Sequence, residues 1–250
     1  MAEIHNIEYK SAEIEAFYRT HRVRWHQFYE SERVVFGQLG LGPQSHVLDI
    51  GCGCGGLGLA LREKFGVSHY TGVEINRQAA VAAKSVYPAG RFLAADILAP
   101  PQGELDDAGF DMVVSLGCID WNLRFEDMVA AAWRYVKPGG YFVCSFRLTA
   151  EATVNDMNVS YQHINFDGKR EGERAPYVVL NARELVTRLE SFSPAELRGF
   201  GYRGAPSATA STPFPHVVFS VIAARKRAGE TGPTRLSLEL PAELGLPPST

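Results

Sequence analysis

Five glycines fall within the eight residues from Gly51 to Gly58, in the run VLDIGCGCGGLGLAL (Val47–Leu61). Before them stands HVLDI (His46–Ile50), a short apolar run that reads as a buried parallel strand; after them, Leu57–Phe65 reads as a helix. This strand, glycine turn and helix in direct succession constrain the chain more than any other feature. Glycine there permits positive φ and lets a ligand approach the backbone with no Cβ between them. The start of the helix aims free N–H groups and a positive dipole end at the same spot, which suits an anionic ligand group. The competing reading is a turn that merely packs strand on helix.

The rhythm continues downstream. HYTGVEI, RFLAADI, FDMVVSLG (Phe110–Gly117) and YFVCSF (Tyr141–Phe146) are the next expected strands. Helices are expected at Arg77–Tyr87 and Glu126–Val136, the latter ending at KPGG. Five strands separated by helices predict a doubly wound α/β sheet. Upstream, Ser11 opens a helical pattern through Ile14, Phe17 and Tyr18, and a second helix is expected from about Trp25 to Leu39. Downstream, Leu148–Pro176 lacks periodicity. Asn181–Glu190 reads as a helix, and AELRGFGY and HVVFSVIAARK as two late strands. The expected domains are a helical lid over 1–43, a core over 44–227, and a Pro/Gly-rich, mobile tail over 228–250. The tail's TRLSLELPAELGL is a candidate partner-binding strand or helix.

Gly51, Gly53 and Gly56 also satisfy G-x-G-x-x-G, so a nicotinamide oxidoreductase is an alternative on the loop alone. Three acids bear on the choice. Asp49 ends an otherwise apolar strand, where a charge is costly unless a cationic group pairs with it. Glu74 ends the second strand, where a carboxylate can accept from two ribose hydroxyls. Asp96 ends the third, beside Ile97.

With these residues in view, Val47–Phe146 resembles the class I S-adenosylmethionine (SAM) dependent methyltransferases. It has the family's D-x-G-x-G-x-G loop, acids ending the second and third strands, the FDMVVS strand and the KPGG turn before the fifth. The resemblance implies a Rossmann-like, seven-stranded, mostly parallel sheet with an antiparallel last strand, and SAM as cofactor. It implies that Gly51, Gly53 and Gly55 face the methionine part and ribose, and that Asp49 meets the methionine ammonium. Glu74 would hold the ribose hydroxyls and Ile75 would pack beside the adenine. Asp96 would accept from the adenine amino group, with Ile97 against the ring, and Ser115 to Gly117 would lie along the methionine portion.

Methyl transfer from a sulfonium needs chiefly alignment and exclusion of water, and a base only if the acceptor must lose a proton. Three segments are candidates for the acceptor site: Phe17–Glu32, with Tyr18, His21, Trp25, His26 and Tyr29; Gly117–Asn122; and the stretch holding Arg147, Tyr161, His163 and Arg174. His26, Asp120 and His163 are the candidate catalytic residues, with His163 or His26 as base.

Elimination favours a small-molecule acceptor. The family's nucleic-acid amino-methylating enzymes carry N/D-P-P-Y/F/W after the fourth strand, where this chain has SLGC; Cys118 also lacks the Pro of the cytosine-C5 enzymes. A net charge of −3 gives no basic footprint for phosphates, so no nucleic-acid partner is expected. Four cysteines without a C-x-x-C pair suggest neither zinc nor a disulfide scaffold, and a reducing cytoplasm follows as the expectation. Met1–Lys10 does not read as a signal peptide, and no run has the length of a membrane span. A homodimer and a non-catalytic, partner-binding methyltransferase-like subunit both stay open.

Overall fold

The computed structural model describes residues 16–165 and 168–246. The helix expected to open at Ser11 lies mostly outside them; residues 16–18 are helical. In chain order the strands are β1 (His46–Ile50), β2 (His69–Glu74), β3 (Arg91–Ala94), β4 (Phe110–Ser115), β5 (Val136–Thr149), β6 (Tyr161–His163), β7 (Arg174–Pro176), β8 (Leu180–Asn181), β9 (Glu196–Gly204), β10 (Ala210–Ser211), β11 (Val217–Arg225) and β12 (Arg235–Glu239). The α-helices are α1 (Glu30–Gly37), α2 (Gly56–Phe65), α3 (Arg77–Val86), α4 (Phe125–Tyr135) and α5 (Ala182–Glu190).

The main sheet runs β12-β9-β11-β5-β4-β1-β2-β3, with β8 beside β5. β1 to β5 are mutually parallel, and β11 is antiparallel to both neighbours. The seven expected strands are present, with β8 and β12 added. Alternate residues feed opposite faces, as the pleat requires. Leu48, Ile50, Val113 and Phe142 pack with α4 and α5, while Val47, Met112, Val114 and Val143 pack with α1 and α2. Each such fully buried apolar side chain contributes about 1.5–3 kcal/mol. Helix starts follow local chemistry: the Asn76 side chain accepts from Gln78 and Ala79 N–H, and Asn181 accepts from Arg183 and Glu184 N–H. No helix among the described residues is long and apolar enough to cross a membrane.

Three segments depart from expectation. The helix expected over Trp25–Leu39 is a 3-10 turn at Trp25–Gln27 followed by α1. Two side chains break it: Gln27 Oε1 accepts from Val23 and Arg24 N–H, and Glu32 Oε2 accepts from Tyr29 N–H at 2.7 Å. The aperiodic stretch after β5 contributes β6 and β7, which join β10 in a small second sheet of order β10-β6-β7. Finally, the tail expected to be mobile supplies β12, parallel to β9 at the sheet edge. Leu236 is buried there, and Gly199 and Gly201 of β9 leave room for Leu238 and Leu240, which a Cβ would meet at 3.1 and 2.7 Å. The candidate partner strand therefore pairs within its own chain.

Candidate active site

The glycine loop turns where β1 leaves the sheet. Gly51 has φ +73° and donates to Val73 O at 2.8 Å, and a Cβ on it would overlap the Cys118 side chain. Gly53, at φ +52°, donates to Glu74 Oε2 at 2.9 Å, and none of the described residues lies within 4 Å of where its Cβ would be. Glu74 Oε1 accepts from Asn76 N–H at 2.9 Å. Gly55, left-handed at φ +75°, is the N-cap of α2. The loop is thus tied to the end of β2 by one carboxylate, and its Gly53 side is open.

That open side faces a cavity of about 810 Å³. Asp49, Gly51, Gly53, Glu74, Ile75 and Ile97 line it, as do Tyr18, Arg22, Asp120, Arg147, His163 and Tyr177. Most of the expected cofactor residues are therefore brought together. Three of them differ in detail. Gly55 does not line the cavity; it shapes the loop, and a Cβ there would strike Phe92. Asp96 lies between two lining residues, Ala95 and Ile97, and its Oδ1 accepts from Leu98 N–H at 2.8 Å. Ser115 is fully buried outside the lining, its hydroxyl donating to Ile50 O at 3.1 Å, so it ties β4 to β1. Gly117 does line the cavity and donates to Ser145 Oγ at 2.7 Å.

Of the three candidate catalytic residues, His26 is misplaced. It is exposed on the 3-10 turn and outside the cavity, whose lining takes Tyr18, His21, Arg22, Phe28 and Tyr29 from this segment instead. Asp120 and His163 do line the cavity. Asp120 is buried; its Oδ2 lies 3.3 Å from Arg147 Nη2, while its Oδ1 has no hydrogen-bond partner among the described residues. Burial pushes its carboxyl up, and the Arg147 cation opposes that. The Arg147 guanidinium also lies over the Trp121 and Tyr177 rings, 4.2 and 3.9 Å from their centroids, and the two rings stand edge to face. His163 Nδ1 and the Tyr177 hydroxyl are likewise buried without a hydrogen-bond partner among the described residues.

The sequence reading missed Arg22. Its φ is +60°, rare for a residue with a Cβ, and its guanidinium donates to Glu32 Oε1 at 2.7 Å while lying over the Phe28 ring. Its carbonyl crosses Gly56 so closely that any Cβ there would collide with it. Gly56 thus admits the chain's own backbone, which counts against its use in a dinucleotide fingerprint. Asp49, finally, is buried and accepts from the Tyr70 hydroxyl. Burial pushes its carboxyl up to about 7, with the Tyr70 hydrogen bond opposing and the Glu74 charge assisting.

Residues 47–140 match the family model described as a methyltransferase domain. The matched stretch holds the glycine loop, Glu74 and the strands β2 to β4. Over 121 residues the chain is 29% identical to malonyl-[acyl-carrier protein] O-methyltransferase of Enterobacter lignolyticus, covering 48% of this chain and 45% of that one. Over 119 residues it is 28% identical to trans-aconitate 2-methyltransferase of Paracidovorax citrulli, covering 45% and 44%. The chain spans about half the length of the curated relatives it matches. The methyltransferase fold is shared with a SAM-dependent methyltransferase structure from Thermotoga maritima: TM-score 0.53, 20% identity, 86% of this chain and 95% of that one.

Proposed function

We propose that this chain transfers a methyl group from SAM to a small-molecule acceptor. The observation that carries the reading is a single cavity joining the glycine loop and Glu74 to an aromatic chamber roofed by the Arg22 segment. The residues present fit SAM: a carboxylate ends β2, the Gly53 side of the loop is open, Ile75 and Ile97 offer apolar contact, and Asp49 is a buried acid. When bound, SAM supplies an already activated methyl group on a sulfonium. Glu74 accepts from the ribose hydroxyls, and Asp49 receives the methionine ammonium. Tyr18, Arg22 and Tyr29 keep bulk water from the reacting atoms. His163 takes a proton at Nδ1 when the acceptor must lose one, and His26 has no part. Titration calorimetry with SAM and S-adenosylhomocysteine tests this; no binding at millimolar ligand overturns it, as does tighter binding of NADH.

The Asp49 carboxyl makes that binding pH-dependent. The folded chain holds a proton on Asp49 up to about pH 7, which the unfolded chain releases near an ordinary carboxylate value. Its contribution to stability is therefore fully present below about pH 4 and is lost as pH rises through 7. An ammonium placed against the carboxylate favours the ionised form, so SAM binding expels the proton. Affinity should climb as pH rises toward 7, by at most about tenfold per pH unit. Calorimetry near pH 6 in buffers of different ionisation heat should read most of one proton released, and Asp49→Asn should abolish that release.

A further inference from the structure

We propose that the acceptor held by this cavity is an amine, gripped through its N–H groups by Asp120, and not a carboxylate. The proposal rests on the methyltransferase reading for the word acceptor; the ligand class follows from the charges and orphaned polar atoms of the cavity wall. Among the described residues two arginines line the cavity and no lysine does, and both arginines are committed. Arg22 is paired with Glu32 at 2.7 Å. Arg147 Nη1 donates to the carbonyls of Asp120 and Val178 at 2.7 and 3.4 Å, Nη2 faces Asp120 Oδ2, and the guanidinium lies over the Trp121 and Tyr177 rings. Against these two cations stand four carboxylates, Glu32, Asp49, Glu74 and Asp120. Arg22 offsets Glu32 and Arg147 offsets Asp120, so with a proton on Asp49 the excess negative charge is that of Glu74. A carboxylate ligand would meet no uncommitted arginine or lysine there, and its burial would go uncompensated.

The unpartnered atoms have the matching chemistry. Asp120 is only 5% exposed and Tyr177 only 2%, yet Asp120 Oδ1 and the Tyr177 hydroxyl make no hydrogen bond among the described residues, nor does His163 Nδ1. Buried polar atoms in native proteins are paired as a rule, so three orphans in one cavity wall mark positions for ligand atoms. An ionised carboxylate oxygen only accepts, while a hydroxyl oxygen and a neutral imidazole nitrogen can accept as well. A ligand that satisfies them brings donors, as an amine or ammonium does. The rings of Tyr18, Trp121 and Tyr202, also in the lining, favour a cationic head on a flat apolar body.

Matched probes test this: benzylamine against phenylacetate, titrated into the full chain with and without saturating S-adenosylhomocysteine. Benzylamine should bind at least about tenfold more tightly than phenylacetate, the scale of one charge-assisted hydrogen bond. Asp120→Asn removes the accepting charge and leaves Arg147 unpaired, so it should cost benzylamine at least about tenfold and tighten phenylacetate. Tyr177→Phe removes only an unpartnered hydroxyl; it should fold as the parent does and weaken benzylamine about threefold or more, which decides the matter if Asp120→Asn fails to fold. Equal or tighter binding of phenylacetate to the parent overturns the proposal, as does an unchanged ratio in both variants or binding of neither probe. Failure of S-adenosylhomocysteine to bind would instead overturn the methyltransferase reading, and the benzylamine preference of the cofactor-free chain would still be scored.

Discussion

Glu74→Ala is expected to weaken S-adenosylhomocysteine binding by roughly 10- to 150-fold, or about 1.5–3 kcal/mol, the range for hydrogen bonds to a charged group. Two losses combine. The carboxylate at the end of β2 is the acceptor proposed for the ribose hydroxyls, and alanine offers none. The same carboxylate also holds the glycine loop, since its Oε2 accepts from Gly53 N–H and its Oε1 from Asn76 N–H, each at 2.9 Å. Without it, the loop must be ordered by the ligand, which places the loss toward the upper end of the range. Glu74→Gln keeps one acceptor oxygen and should fall between parent and alanine variant. Because Glu74 is only half-buried, neither change should lower thermal stability much. Calorimetry checks both values, and an unchanged affinity in Glu74→Ala would remove Glu74 from the cofactor site.

How much of this was legible depended on how locally each feature is encoded. β1, β2, β4 and the helices between them were readable because each is a short apolar or amphipathic run closed by glycine, asparagine or an acid. Asp49 and Glu74 were readable for the same reason: a lone carboxylate ending an apolar strand stands out. The acceptor wall was not. Asp120 lies on a 3-10 turn after β4 and Arg147 near the end of β5, and nothing in either local stretch signals that they pair. His163 sits on a three-residue strand, too short for periodicity to register, and gains its place from pairing with Arg174 and with the Ala210–Ser211 strand. Arg22 was hidden because its role depends on a positive φ and on a close crossing over Gly56. In the tail, glycines and prolines drew attention from Leu236, Leu238 and Leu240, whose period of two was the strand signal.

Arg147→Met is expected to be the most destabilising single change in the acceptor wall, at about 3–5 kcal/mol, the cost of removing one member of a buried ion pair. Arg147 is 4% exposed, and its loss deprives the Asp120 and Val178 carbonyls of a donor and Asp120 Oδ2 of its cation. For a chain of this size that corresponds to a melting temperature lower by about 6–20 °C. Charge and packing can be told apart by pH. Burial already raises the Asp120 carboxyl, and Arg147 is what holds it down. In the variant the folded value climbs further above the unfolded one, so the group's stability contribution is fully present below about pH 4 and lost as pH rises through the new folded value. The melting deficit should therefore shrink as pH is lowered from about 8 to 5. Adding Asp120→Asn to Arg147→Met removes the stranded charge and should recover part of the loss at pH 8, a coupling that a double-mutant cycle reads directly. A deficit independent of pH, with strictly additive variants, would mean that Arg147 acts only by packing against Trp121 and Tyr177. The negative wall inferred for amine binding would then lose the neutralising pair on which its charge balance depends.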